Sequence, residues 1–194
     1  MMRILNQCQR RISVRRGLIQ GLLLLLSSLM FFPLAGYAGD EATVAIVPFD
    51  LIDTSLQGLN VQVQNVDKAE LKRLQKTVAQ LSRQIDKSKL FKVVDNKAAA
   101  QVARELQQQV AYLHRCNGCE MRIGKLLNAD YVLVGWVQKV SNLILNMNIV
   151  LRKVPGGEDI IGASADMRGN TDESWSRAAT FLVEERLLPQ FAEL

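Results

Sequence analysis

The sequence predicts an α/β domain with a mixed sheet of about five strands and helices packed on it, in the order β-α-β-α-(α)-β-β-β-α. Three observations predict it. A short apolar run, Thr43 to Phe49, precedes a strongly periodic helical segment from Asp67 to Leu90. A second strand and helix follow, as in right-handed parallel crossovers. Three β-rich segments between Ala129 and Arg168 are then joined by tight turns, as in an antiparallel meander.

Thr43-Val44-Ala45-Ile46-Val47-Pro48-Phe49 does not alternate, so it reads as a strand buried on both faces and ended by Pro48. Asp50 to Val66 reads as a polar connection that could hold a short edge strand, weakly alternating at Leu59 to Val63, or a mobile lid. In the helix from Asp67, residues Leu71, Leu74, Val78, Leu81 and Ile85 are three and four apart and share one face, with lysines and arginines mostly opposite. Phe91 to Asp95 is the second strand. Lys97 to Leu113 is the second helix, with Val102, Leu106 and Val110 on one side, and Met121 to Leu127 is a third, short helix.

Ala129 to Val140 is rich in β-formers. In the next strand, Leu143, Leu145, Met147, Ile149 and Leu151 share one face, and Ile144, Asn146, Asn148, Val150 and Arg152 share the other. Asp159 to Arg168 is the last strand. Asn170-Thr171-Asp172-Glu173 starts a helix that should run to Leu188 and stop at Pro189.

Charge divides the chain. Its 194 residues carry a formal charge of +5, but residues 1–38 hold five arginines and no acid. Removing those five from the 24 basic residues leaves 19 basic against 19 acidic. A balanced remainder does not suit phosphate binding, so no nucleic-acid partner is expected. Arginines up to Arg16, an apolar run from Leu18 to Leu34 and Gly36-Tyr37-Ala38 have the order of a secretory signal peptide cut after Ala38. Arg15-Arg16 also fits a short twin-arginine pattern. Residues 1–38 are therefore expected to be a signal peptide and 39–194 a single periplasmic domain. Membrane contact is expected only through an uncleaved leader.

Cys116-Asn117-Gly118-Cys119 is the sharpest constellation. In an oxidising compartment it reads first as a structural disulfide. A thiol–disulfide redox site is an alternative, although such a site wants the motif at a helix N-terminus directly after a strand. A metal site using His114, Cys116, Cys119 and Glu120 is a further alternative. Covalent haem would need histidine after the second cysteine, where Glu120 stands. Asp50 and Asp53 lie beyond a strand end, where α/β sheets place ligands. Asn146 and Asn148 line one strand face as further binding candidates. No nucleotide loop, serine elbow or zinc-protease motif is present. No catalytic residue and no cofactor are assigned.

Val44-Ala45-Ile46-Val47-Pro48-Phe49-Asp50, Phe91-Lys92-Val93-Val94-Asp95 and Leu127-Asn128-Ala129-Asp130-Tyr131-Val132-Leu133-Val134-Gly135 together resemble the N-terminal domain of TolB and the curli-secretion-lipoprotein superfamily. Gly135 to Asn146, with Arg168 to Trp175, is similar to an uncharacterised family of exported proteobacterial proteins, often encoded beside quinoprotein alcohol dehydrogenase systems. The resemblance implies a non-enzymatic periplasmic accessory or protein-interaction domain with a protein partner. A small redox protein and a ligand- or metal-binding module are the alternatives.

Overall fold

The computed structural model describes residues 41–55 and 67–194. The expected leader and the weak alternation at Leu59 to Val63 lie outside these residues.

A mixed six-stranded sheet organises the domain. β1 (Ala42–Ile46) pairs in parallel with β3 (Phe91–Val93) on one side and with β4 (Tyr131–Lys139) on the other. β5 (Ile144–Lys153) and β6 (Asp159–Arg168) extend the sheet as an antiparallel meander. The alternating and meander halves read from the sequence are thus two halves of one sheet.

The sheet of about five strands has a sixth, short member. β2 (Asp50–Asp53) pairs in parallel with Trp136–Lys139, on the edge of β4 that β1 occupies earlier at Tyr131–Leu133. β1 and β2 are therefore one line of strand, interrupted at Val47-Pro48-Phe49. Pro48 has no N–H for the ladder, so the pairing breaks there and resumes. The segment from Asp50, read as a connection, begins as a strand.

Helices cover both faces. α1 (Lys68–Lys87) is capped by Asp67, whose carboxylate accepts from Ala69 N. It buries Leu74, Leu81 and Ile85, while Leu71 is 41% exposed. On the same face lies a continuous C-terminal helical run, α4 (Asp172–Thr180), a π segment (Phe181–Leu187) and α5 (Leu188–Ala192). Helix does not stop at Pro189: the π segment ends at Leu187, and proline is the second residue of α5. Leu145, Met147, Ile149 and Leu151 of β5 enter this core with Phe91, Trp175 and Leu182. Leu143, expected among them, precedes the strand and is 75% exposed.

The opposite core is smaller. A 3₁₀ turn (Asn96–Ala99) leads into α2 (Ala100–Gln109), and α3 (Cys119–Leu126) follows a second 3₁₀ turn (Leu113–Arg115). They close over Ala45, Val47, Val132 and Val134 with Ala103, Leu106, Leu113 and Ile123. Thus β1 is buried on both faces by its alternate residues, Val44 and Ile46 on one side and Ala45 and Val47 on the other. No helix among the described residues is long and apolar enough to cross a membrane.

Candidate functional site

The predicted site residues divide between the two faces of the sheet. Asp50 and Asp53 sit three apart in β2, and residues of opposite parity point to opposite faces. They do not form the paired carboxylates expected beyond the strand end.

Asp53 joins a buried ion network. Lys139 Nζ lies 3.1 Å from Asp53 and 2.7 Å from Glu70, and Glu70 also accepts from Asn170 at 2.6 Å. Asn170 accepts in turn from the Trp175 indole N–H at 2.9 Å. Burial opposes the Lys139 charge, yet the hydrogen bonds it donates to Glu70 and Asp53 outweigh it and raise its pKa. Burial likewise raises the Asp53 carboxyl, but bonds from Ser55 and Lys139 bring it below the ordinary value. This network ties the start of α1 to the far end of β4 and the loop before α4.

Asp50 turns to the other face and meets His114. Its Oδ2 accepts from the His114 backbone N–H at 2.8 Å and lies 2.7 Å from His114 Nδ1. Both side chains are buried. The imidazole stacks on Trp136, with centroids 4.7 Å apart and planes at 14°. Leu113, 1% exposed, anchors the 3₁₀ turn in the smaller core and so brings His114 over β4. Trp136 is also the β4 partner of Asp50 in the sheet.

From Trp136 a row runs across the sheet to Asn148 of β5 and Ser164 of β6. The adjacent row is Gln138, Asn146 and Asp166. Asn146 Nδ2 donates to Ser164 Oγ at 2.9 Å and Asp166 Oδ1 at 2.7 Å, and Asn148 donates to Asn146. Ser164 and Asp166 are exposed, and a Cβ built on Gly162 meets nothing within 4 Å. Asp50, His114, Asn146 and Asn148, proposed separately from the sequence, thus share one sheet face. Trp136 was missed, although strand parity alone puts it there.

Beyond His114 the chain reaches the cysteines. Cys116 and Cys119 form a disulfide in the structure, with Cα atoms 5.5 Å apart. Gly118 takes a left-handed conformation, φ +90°, and turns the chain into α3 at Cys119. The motif therefore does adjoin a helix N-terminus. It is the second sulfur that stands there, and Cys119 is buried, 5% exposed. A thioredoxin-type site presents the first, accessible thiol at that position. Glu120 pairs with Arg152 at 2.6 Å. The four expected metal ligands are therefore engaged in a carboxylate pair, a disulfide and an ion pair. Among the described residues no group of three or more His, Cys, Asp or Glu side chains could hold a metal ion.

The sequence pattern of DUF3280, described as "Protein of unknown function (DUF2380)", matches residues 42–187. The chain belongs to this family. The match spans every strand and the walls of the site. No curated protein matches. Among solved structures, the LpoB C-terminal domain from Salmonella enterica is 13% identical, with 69% of this chain and 87% of that chain covered and a TM-score of 0.46. Lipoprotein GNA1162 from Neisseria meningitidis is 20% identical, covering 78% and 96%, with a TM-score of 0.43. TolB from Acinetobacter baumannii is 10% identical, covering 74% of this family member and 27% of TolB, with a TM-score of 0.40.

Proposed function

We propose that residues 1–38 direct export and that residues 39–194 act in the periplasm as a non-enzymatic accessory domain that binds a protein partner through the open face of β4, β5 and β6. The observation that carries this reading is the asymmetry of the sheet. One face of β5 and β6 is sealed by the C-terminal helices. The other presents a hydrogen-bonded array of Asn146, Asn148, Ser164 and Asp166 beside Trp136. Such an array offers directional donors and acceptors on a rigid scaffold, with an indole at its border, which is the make-up of a polar protein interface.

His114 supports the same reading. Its Nδ1 is engaged by Asp50 and its ring is stacked on Trp136, so it serves to shape the wall of the face. The Cys116–Cys119 disulfide clamps the same wall. The quinoprotein dehydrogenase systems implied by the sequence resemblance are the first place to seek the partner.

Site-specific photo-crosslinking in the producing cell tests this. A photoreactive residue at Gln138 or Ser164 should give discrete crosslinked species after export, and one at Lys72 on the outer side of α1 should not. Equal labelling at all three positions, or none at the sheet positions, would count against the proposed interface.

A further inference from the structure

β6 is the last strand of the sheet, and its outer edge has no strand partner among the described residues. The two edges of the sheet differ. β3, at the opposite edge, is only three residues long, and a short edge strand is itself a protection against pairing with another chain. β6 runs for ten residues without a proline.

The register of β6 fixes which of its backbone groups are free. The Gly169 N–H donates to Leu143 O at 3.0 Å, and the same pairing sets Met167 opposite Leu145 and Ala165 opposite Met147. Directly opposed residues of an antiparallel ladder alternate between bonded and non-bonded pairs. Ile161, Ala163, Ala165 and Met167 therefore bond inward to β5. Gly162, Ser164, Asp166 and Arg168 turn their N–H and C=O groups outward. An extended strand is the kind of partner that meets such a row.

An exposed aromatic ring stands beside the row. An open groove of about 600 Å³ lies between β6 and α4, lined by Ala165, Met167 and Ala178 and, where the π segment begins, by Phe181. Phe181 is 42% exposed, although Leu182 and Val183 next to it are fully buried.

The edge is complementary to itself. When two β6 strands run antiparallel about a two-fold axis at Ser164, each outward N–H and C=O of one meets an outward group of the other. Ser164 then stands opposite Ser164 of the copy, and Asp166 opposite Gly162 of the copy. A Cβ built on Gly162 meets nothing within 4 Å, so the copy's carboxylate has room there. The two Asp166 carboxylates, which would repel one another, are kept apart because each faces a glycine. The 19 basic and 19 acidic residues outside residues 1–38 leave no net charge to oppose association. Phe181 of each copy flanks the seam.

We propose that the protein forms a two-fold dimer through the outer edge of β6, which joins two sheets into one. Such a contact uses the same patch on both copies, as most dimers do. The proposal goes beyond the protein-binding face and does not depend on it.

Sedimentation equilibrium of protein recovered from the periplasm tests it. A monomer–dimer equilibrium is expected at micromolar concentrations. Ser164→Cys should link to its copy on mild oxidation, because opposed bonded residues stand about 5.5 Å apart at Cα, within disulfide reach. Asp166→Cys should not, because its own copy is not opposite. Gly162→Pro removes one outward N–H and leaves the inner ladder whole, so it should keep the fold and weaken dimerisation roughly tenfold or more. A monomer at every concentration would overturn the proposal, as would a dimer that a folded Gly162→Pro leaves unchanged. Asp166→Cys linking as readily as Ser164→Cys would also overturn it, and this comparison decides the matter even if Gly162→Pro does not fold. Ser164→Cys linked only to a different protein would assign the edge to a foreign strand and overturn the dimer.

Discussion

Asp50 holds His114 twice through one oxygen, once by the backbone N–H and once by the ring, across 64 residues of sequence. This contact fixes the wall of the open face to β2. Asp50→Ala leaves His114 and its N–H without their buried acceptor, so it should destabilise the domain by about 3 kcal/mol. Asp50→Asn keeps an acceptor oxygen and should cost about 1 kcal/mol. Chemical denaturation of the three proteins checks the order. Equal midpoints would show that the contact does not hold the wall.

The ring of Phe49 lies against Gly135, where any Cβ would collide with it. This explains two separated fragments of the sequence at once: the Pro48-Phe49 break between β1 and β2, and a glycine in the middle of β4. Gly135→Ala should destabilise by about 1–3 kcal/mol through overpacking. Adding Phe49→Leu, which removes the ring edge, should recover part of that loss. A double-mutant cycle with no coupling between the two positions would contradict the contact.

The parts of the fold that were legible in the sequence are those encoded by local period. Leu145, Met147, Ile149 and Leu151 alternate along β5 and do face the larger core, and Leu74, Leu81 and Ile85 recur at helical spacing and do bury. β2 was not legible, because Asp50-Leu51-Ile52-Asp53 follows a proline and carries acids at both ends, so its strand character comes only from pairing with β4. Leu71 matched the helical period yet lies 41% exposed, because Glu70, one position earlier, is drawn inward by Lys139. The site was legible as residue types and not as an arrangement. Asn146 and Asn148 could be placed on one face by parity. The row from Trp136 through Asn148 to Ser164, the Asp50–His114 pair and the Glu120–Arg152 pair depend on register between distant strands, which no local pattern encodes.

Asp130, in the Ala129-Asp130-Tyr131 strand start, fastens β4 to β1. Its Oδ2 accepts from the Thr43 hydroxyl at 2.6 Å and the Thr43 N–H at 2.8 Å. The Asp130 N–H donates back to Thr43 Oγ1 at 2.9 Å. The hydroxyl and amide bonds favour the ionised carboxylate and hold its pKa below the ordinary value of 3.8. Because the folded value is the lower one, the contribution is fully present above the ordinary carboxylate range and is lost as pH falls through the depressed value. Stability should therefore decline in acid below about pH 4. Asp130→Asn should be less stable at neutral pH and should show a shallower acid limb. Thr43→Val should move the Asp130 titration back towards the ordinary value, read by NMR of the carboxyl carbon. An acid limb identical in all three proteins would remove Asp130 from this role.

The disulfide prediction rests on where the two cysteines stand. Cys119 is buried in the smaller core, and Cys116 closes the turn that carries His114. Bonding them constrains a loop of four residues, for which chain entropy gives about 2 kcal/mol. Replacing both by serine should lower Tm by roughly 5 °C for a domain of this size. The local consequence should be sharper than the global one, since the turn links His114 on one side to Glu120 on the other. Hydrogen exchange should accelerate at Cys116 (now serine), Asn117 and Gly118 while β4 and β5 stay protected. Cleavage after Arg115 and Arg122 isolates both cysteines in one peptide, 116–122. In protein recovered from the periplasm that peptide should be lighter by two hydrogens than its reduced form. Recovery of the reduced peptide, with no change in Tm for the serine variant, would show that the pair does not clamp the wall.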